Sequence, residues 1–199
     1  ACDITGLAFR RVLGFVKPGV LEYEIEAEIT HEFIRNGASG HSYAPIIASG
    51  ANACILHYNE NDQPCKDGDL ILLDFGAEYG NYAADLSRTI PANGKFTARQ
   101  RQVYDAVLRV MRKATKLLIP DTTIDKWHAE VCRIMEKELI GLGLFTEEDV
   151  KNQDAGSPMF FTYYMHGTGH FLGLDVHDVG SKQLPLQKGM VITCEPGIY

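Results

Sequence analysis

Asp74 closes the apolar run LILL and Glu195 closes the run MVITC. Each carboxylate has a glycine six residues before it (Gly68, Gly189) and another two residues after it (Gly76, Gly197). This Gly-x5-carboxylate-x-Gly unit recurs at an offset of 121, and the helical stretches upstream align at an offset of 102: Pro18 with Pro120, Ala27 with Ala129, Glu28 with Glu130. A chain built as two copies of one helix-helix-strand unit is an α+β fold with pseudo-twofold symmetry. Such symmetry would bring one carboxylate per copy to a shared interface.

The periodicity supplies the elements of each copy. Residues 4–17 read as a helix broken at Pro18-Gly19, and residues 22–36 as a second helix stopped by Gly37. Strand-like segments follow to about Thr89. Thr97-Ala98-Arg99-Gln100 has the form of a capping box. The helix it opens would present Val103, Val107, Leu108, Met111 and Leu118 on one face. Past Pro120, the residues Ile124, Trp127, Val131, Ile134 and Met135 mark another helix to about Gly141. Residues 145–158 are polar and turn-rich, so a surface loop is expected before strands return. In the first copy Asp74 is followed by a Gly-containing turn and a returning strand that carries Asp85. The second copy should have its own returning strand and carboxylate, which would lie past Tyr199. The chain is therefore expected to be C-terminally incomplete.

Composition narrows the function classes. The 199 residues are 45% hydrophobic and 23% charged, as in ordinary globular domains. A net charge of -7 opposes nucleic-acid binding, which needs a basic surface. The longest uninterrupted apolar run, Leu70–Leu73, is far too short to span a membrane, and no signal-peptide layout opens the chain. Cys2, Cys54, Cys65, Cys132 and Cys194 are odd in number and never spaced as CxxC. They suit a reducing, cytoplasmic setting and act as small apolar fillers. Cys194 should face away from Glu195 by strand alternation.

Carboxylates at the ends of apolar runs are costly without a counter-charge. Asp74 and Asp85 on hairpin strands can face one another, and Glu195 is held extended by Pro196. His166, His170 and His177 lie within twelve positions, interleaved with Gly167, Gly169 and Gly173. His57 falls within one residue of His177 under the 121 offset. Asp74, Asp85, His170 and Glu195 look like a divalent-metal ligand set. The remaining histidines, His31, His41 and His128, read as helix-surface or loop residues.

The stretches LLDFGAEYGNYAADLSRT, HGTGHFLGLDVHDVG and CEPGIY, together with ASGANACILHYNEN and IPANGKFTARQRQVYDAVL, resemble the motifs of Xaa-Pro aminopeptidases (aminopeptidase P) and prolidases, in family order and nearly end to end. Both belong to the creatinase, or pita-bread, group of dinuclear metallopeptidases. The resemblance implies that residues 1–199 are a catalytic domain truncated at both ends, without the N-terminal creatinase-type domain, and inactive or nearly so alone. It implies that Asp74 binds one metal, Asp85 bridges two, His170 and Glu195 bind the second, and a further bridging glutamate is missing. His57, His166 and His177 would line the substrate pocket, with His177 near the scissile carbonyl oxygen. Glu195 would act as general base on a metal-bound water, and the resulting hydroxide would attack an Xaa-Pro bond. The carboxylate-rich ligands favour two Mn2+ ions, with Co2+, Zn2+ or Fe2+ as substitutes. The expected partners are a peptide with proline second and, in the full-length protein, a second copy in a homodimer. Two alternatives remain: a prolidase cleaving Xaa-Pro dipeptides, and a metal-free pita-bread interaction module.

Overall fold

The computed structural model describes residues 1–154 and 156–199, which divide into two compact units. Unit 1 comprises Ala1–Thr97 with Leu172–Asp178; unit 2 comprises Ala98–Phe171 with Val179–Tyr199.

In unit 1, α1 (Cys2–Phe15) and α2 (Glu22–Arg35) each bury one stripe at helical spacing. Ile4, Ala8 and Val12 come from α1, and Ile25, Ile29 and Phe33 from α2. α1 stops two residues earlier than its apolar pattern suggests. Val16 is already extended, and Lys17 precedes a proline, which disfavours helix. At the start of α2 the Glu24 carboxylate reaches back to accept the Leu21 N–H at 2.8 Å. At its end Gly37 takes φ 76°, and the N–H groups of Ala38 and Gly37 return to the carbonyls of Phe33 and Ile34 at 3.0 and 3.1 Å. This is the Schellman closure that a left-handed glycine permits.

Against these helices lies an antiparallel sheet of β2 (Ile46–Ser49), β3 (Leu70–Phe75) and β6 (Leu86–Pro91), in the order β2-β3-β6. A second sheet joins β1 (Gly40–His41), β4 (Ala77–Tyr79) and β5 (Tyr82–Ala83) in the order β1-β4-β5. Strand alternation in β3 sends Ile71, Leu73 and Phe75 into the helix-packed core and leaves Asp74 on the opposite face, paired in register with Ser87. Between β4 and β5, Gly80 and Asn81 both have positive φ (60° and 65°), as a type I′ hairpin turn requires. The returning backbone passes so close that a Cβ on Gly76 would sit 1.6 Å from the Ala84 carbonyl oxygen.

In unit 2, α3 (Ala98–Leu117) packs on α4 (Ile124–Gly141). The buried stripe of α3 is Ala106, Val110 and Ala114, whereas Val103, Val107, Leu108, Met111 and Leu118 are half-buried around it. Ala114 leaves room for the Trp127 indole, whose N–H donates to the Ala114 carbonyl at 2.9 Å. α4 buries Ile124, Trp127, Val131, Cys132, Met135 and Leu139, close to the sequence expectation, and Thr123 caps it by accepting the Lys126 N–H at 3.2 Å. The expected loop at 145–158 contains a short helix, α5 (Glu147–Lys151), opened by a capping box between Thr146 and Asp149.

Among the described residues, the strands expected in the second copy are reduced to an isolated bridge between Phe171 and Ile192. Thr193 and Glu195 do donate backbone N–H bonds to His170 and Thr168, both at 2.9 Å. The His170 N–H goes instead to the Thr193 hydroxyl at 3.0 Å, so a side chain competes with the ladder. Among the described residues no helix is long and apolar enough to cross a membrane.

The Gly76 contact yields a direct test. Gly76→Ala should cost roughly 1–3 kcal/mol of stability by overpacking. Gly14→Ala, where nothing lies within 4 Å of the added Cβ, should be neutral or slightly stabilising. Urea unfolding of both variants beside the parent protein measures the contrast.

Candidate metal centre

Unit 1 carries two of the expected ligands. β3 delivers Asp74 near its end, and the hairpin that follows returns Asp85 just ahead of β6. Both are half-buried. Between them stands Tyr43, whose hydroxyl lies 2.5 Å from Asp74 Oδ1 and 3.2 Å from Asp85 Oδ1. Burial first, and then both carboxylates, push the Tyr43 phenol far above its ordinary range. It therefore stays a proton donor, and its single proton serves two carboxylate oxygens. Sequence reasoning missed Tyr43, because nothing in HSYAP marks it without knowledge of the pairing of β2 with β3.

Ser42 fixes the same corner. Its hydroxyl donates to the Ala84 carbonyl at 2.7 Å and its N–H to the Gly76 carbonyl at 2.9 Å. Segment 172–178, which carries His177, belongs to this unit: the Ala83 N–H donates to the Gly173 carbonyl at 2.8 Å. Asp178 Oδ2 closes the turn by accepting the Leu174 N–H at 3.2 Å. His177 itself is exposed, as is His57, which holds a left-handed φ of 56°.

Unit 2 carries the other two. His170 Nε2 lies 3.2 Å from Glu195 Oε1, with both side chains mostly buried. The Thr193 hydroxyl donates to the same Glu195 oxygen at 2.8 Å. Thr193 and Glu195 share one face, and Cys194 turns the other way, its Sγ 3.6 Å from Thr115 Oγ1, as alternation requires. A Cβ on Gly169 would sit 2.1 Å from the Thr193 carbonyl oxygen, so glycine is what lets the two segments lie together.

This geometry fits a divalent cation. His170 Nδ1 donates to the Phe171 carbonyl at 2.9 Å, which turns Nε2 towards Glu195. With the ring neutral, that Nε2 lone pair and the carboxylate oxygen would repel one another unless a cation joined them. Two donors of one first-row ion, each about 2.1 Å from it and 90–110° apart, lie about 3.0–3.4 Å from each other. The observed 3.2 Å falls within that range.

His166 is set differently. Its Nδ1 donates to the Gly167 carbonyl at 2.8 Å, and its ring stands edge-on between Tyr164 and Tyr199, with centroids at 5.1 and 5.3 Å. Its Nε2 is buried and without a protein partner. Of the other histidines, His31 is exposed on α2 as expected. His41 is half-buried in β1, with Nε2 2.8 Å from the Thr30 hydroxyl. His128 is no surface residue: it is half-buried, with Nδ1 2.8 Å from Thr168 Oγ1, which is in turn 2.6 Å from the Tyr164 hydroxyl. The Thr168 carbonyl receives the Glu195 N–H, so this chain of contacts backs the Glu195 segment.

Comparison with known proteins agrees with these motifs. Residues 1–199 match the metallopeptidase family M24. The chain belongs to that family. It is 48% identical over 205 residues to the Xaa-Pro aminopeptidase of Haemophilus influenzae, an alignment covering 100% of this chain and 47% of that protein. It is 39% identical over 219 residues to the Xaa-Pro dipeptidase of Mus musculus, covering 98% of this chain and 44% of that protein. Zn-substituted Escherichia coli aminopeptidase P in complex with product superposes with a TM-score of 0.91 at 45% identity, over 99% of this chain and 45% of that one. The M24 chain thus spans about half the length of the curated relatives it matches, and its fold is the incomplete pita-bread fold expected from sequence. Family membership carries divalent metal ions with it; the metal's identity and the ligand set do not follow from the match.

The half-buried imidazole of His128 behind Glu195 predicts a pH effect. Burial, and then Lys182, hold the His128 pKa below its ordinary 6.5, so the unfolded chain takes up that proton first as pH falls. The His128 contribution to stability is complete above about pH 6.5 and is lost as pH falls through the folded-state value. Thermal melts from about pH 7.5 to 5 should therefore fall more steeply for the parent protein than for His128→Asn.

Proposed function

We propose that residues 1–199 form the catalytic domain of a metal-dependent aminopeptidase that cleaves the bond between an N-terminal residue and a following proline. The observation that carries this is the pair of half-sites: Asp74 and Asp85 sharing the Tyr43 hydroxyl, and His170 Nε2 facing Glu195 Oε1. In this reading Asp74 and Asp85 from the first repeat, with His170 and Glu195 from the second, hold two divalent ions. The carboxylate majority favours Mn2+. When bound, such ions acidify water and polarise the scissile carbonyl.

The chain's own groups do the rest. Glu195, steadied by the Thr193 hydroxyl, takes the proton from the attacking water and passes it towards the leaving proline nitrogen. His177 donates to the oxygen that gains charge as the carbonyl becomes tetrahedral. His166 keeps Nε2 available for a polar group of the peptide, held there by its Nδ1 bond and the two tyrosine rings. His57 contacts the substrate from the loop after β2. The full protein acts as a homodimer, binds neither nucleic acid nor membrane, and works in the cytoplasm. All five cysteines are free, which suits that compartment.

The test uses the full protein. Metal analysis should find about two divalent ions per chain. Asp85→Asn should lose metal and slow hydrolysis of an Xaa-Pro-Yaa tripeptide roughly a hundredfold or more. A protein with these four residues intact and no bound divalent ion would sink the proposal in favour of a silent interaction module. The dipeptidase relative supports one rival. Cleavage of Xaa-Pro dipeptides in preference to the tripeptide would establish a prolidase.

A further inference from the structure

Glu22 is fully buried, a charged residue inside the apolar core of unit 1. Its carboxylate accepts four hydrogen bonds. Oε1 receives the Ser49 N–H at 2.7 Å and the Ser49 hydroxyl at 2.8 Å. Oε2 receives the Tyr58 hydroxyl at 2.8 Å and the Gln63 N–H at 3.1 Å. No arginine or lysine pairs with it among the described residues' ion pairs, so hydrogen bonds alone compensate the burial.

The donors come from the two ends of one loop. Ser49 ends β2, and Tyr58 and Gln63 lie beyond a 3-10 turn at Gly50–Cys54. Between them the loop has little hold on the core. Ile55 and Leu56 are 52% and 44% exposed, and His57 is exposed with φ 56°. Tyr58, the next residue, is 4% exposed. A non-glycine residue keeps a left-handed backbone only where its surroundings over-determine it. Burial and Glu22 hold the Tyr58 phenol up at about 12, so it remains a donor at working pH.

We propose that Glu22 is a positioning residue for the substrate-contacting His57: one carboxylate ties both ends of loop 50–57 and so fixes the place at which His57 meets the peptide. This rests on the reading of His57 as a substrate contact. Glu22 itself touches no substrate.

Glu22→Gln separates this role from a general structural one. A carboxamide presents one oxygen and one NH2, so whichever way it turns, the N–H of either Ser49 or Gln63 faces a donor. The fold keeps its other ties. The Glu22 N–H still donates to the Gln63 carbonyl at 3.1 Å, Gly19 N–H to Cys65 at 2.7 Å, and Cys65 N–H to Val20 at 2.8 Å. In the full, Mn2+-loaded protein, Glu22→Gln is expected to lower kcat/KM for an Xaa-Pro-Yaa tripeptide roughly tenfold, mainly through KM. With His57→Ala already present, the further loss should be under about twofold. Amide hydrogen exchange should accelerate selectively at residues 50–57, and Tyr58→Phe, which removes one of the four donors, should move both readouts in the same direction.

Equal losses in the two backgrounds, or loop exchange unchanged by Glu22→Gln, would overturn the proposal. If His57→Ala alone leaves kcat/KM intact, the reading of His57 fails and the positioning role fails with it. That outcome is seen without touching Glu22, so the two failures are told apart.

Discussion

Both half-sites depend on a backbone carbonyl occupying the space where a side chain would begin. At Gly76 it is the Ala84 oxygen, and at Gly169 the Thr193 oxygen, 1.6 and 2.1 Å from where a Cβ would stand. Neither glycine has a left-handed φ, so conformational freedom is not what selects it. Close approach is. In unit 1 the contact sets Asp85, the neighbour of Ala84, back towards the strand that ends in Asp74-Phe75. In unit 2 it lays residues 168–170 along 193–195, so that His170 and Glu195 can face one another. A methyl group at either position would displace backbone rather than a flexible side chain, and the carboxylate it serves would move with that backbone.

Around these two contacts, a hydroxyl is placed against one oxygen of each carboxylate, Tyr43 against Asp74 and Asp85 and Thr193 against Glu195. Tyr43 stays protonated because its own burial and the two aspartates oppose ionisation. Its one proton cannot satisfy both aspartates fully, at 2.5 and 3.2 Å. Thr193 uses its hydroxyl twice, accepting from the His170 N–H and donating to Glu195. Such arrangements leave negative charge incompletely compensated within each unit while fixing its position. A cation bound to either pair would find its donors already placed.

Much of this was legible in the sequence where a residue's neighbours are set by local period. The stripes of α1, α2 and α4 follow from spacing alone, as does the position of Asp74 on the face of β3 opposite Ile71, Leu73 and Phe75. The alternation that turns Cys194 away from Glu195 could also have pointed to Thr193, two residues before Glu195 on the same face. α3 was misjudged because a pattern of large apolar residues says nothing about how near a partner must come. The approach of Trp127 put Ala114 on the contact line instead. Tyr43, His128 and Glu22 were not recognisable, because their partners lie 31 and 42, 40, and 27 to 41 residues away along the chain.

The repeat relates the candidate ligand positions but not their chemistry. Asp74 and Glu195 are equivalent by offset, yet their surroundings differ. Asp74 sits in a full three-stranded sheet and shares a phenol with a second carboxylate. Glu195 sits beside a single bridged segment and faces an imidazole whose tautomer is fixed by the Phe171 carbonyl. An oxygen pair and a mixed nitrogen-oxygen pair would hold cations of the same charge with different basicity and different freedom of the second donor. In the proposed function the two carboxylates matched by the offset thus serve two tasks. In the proposed mechanism the strand-end carboxylate that faces an imidazole, Glu195, is the one that handles the proton.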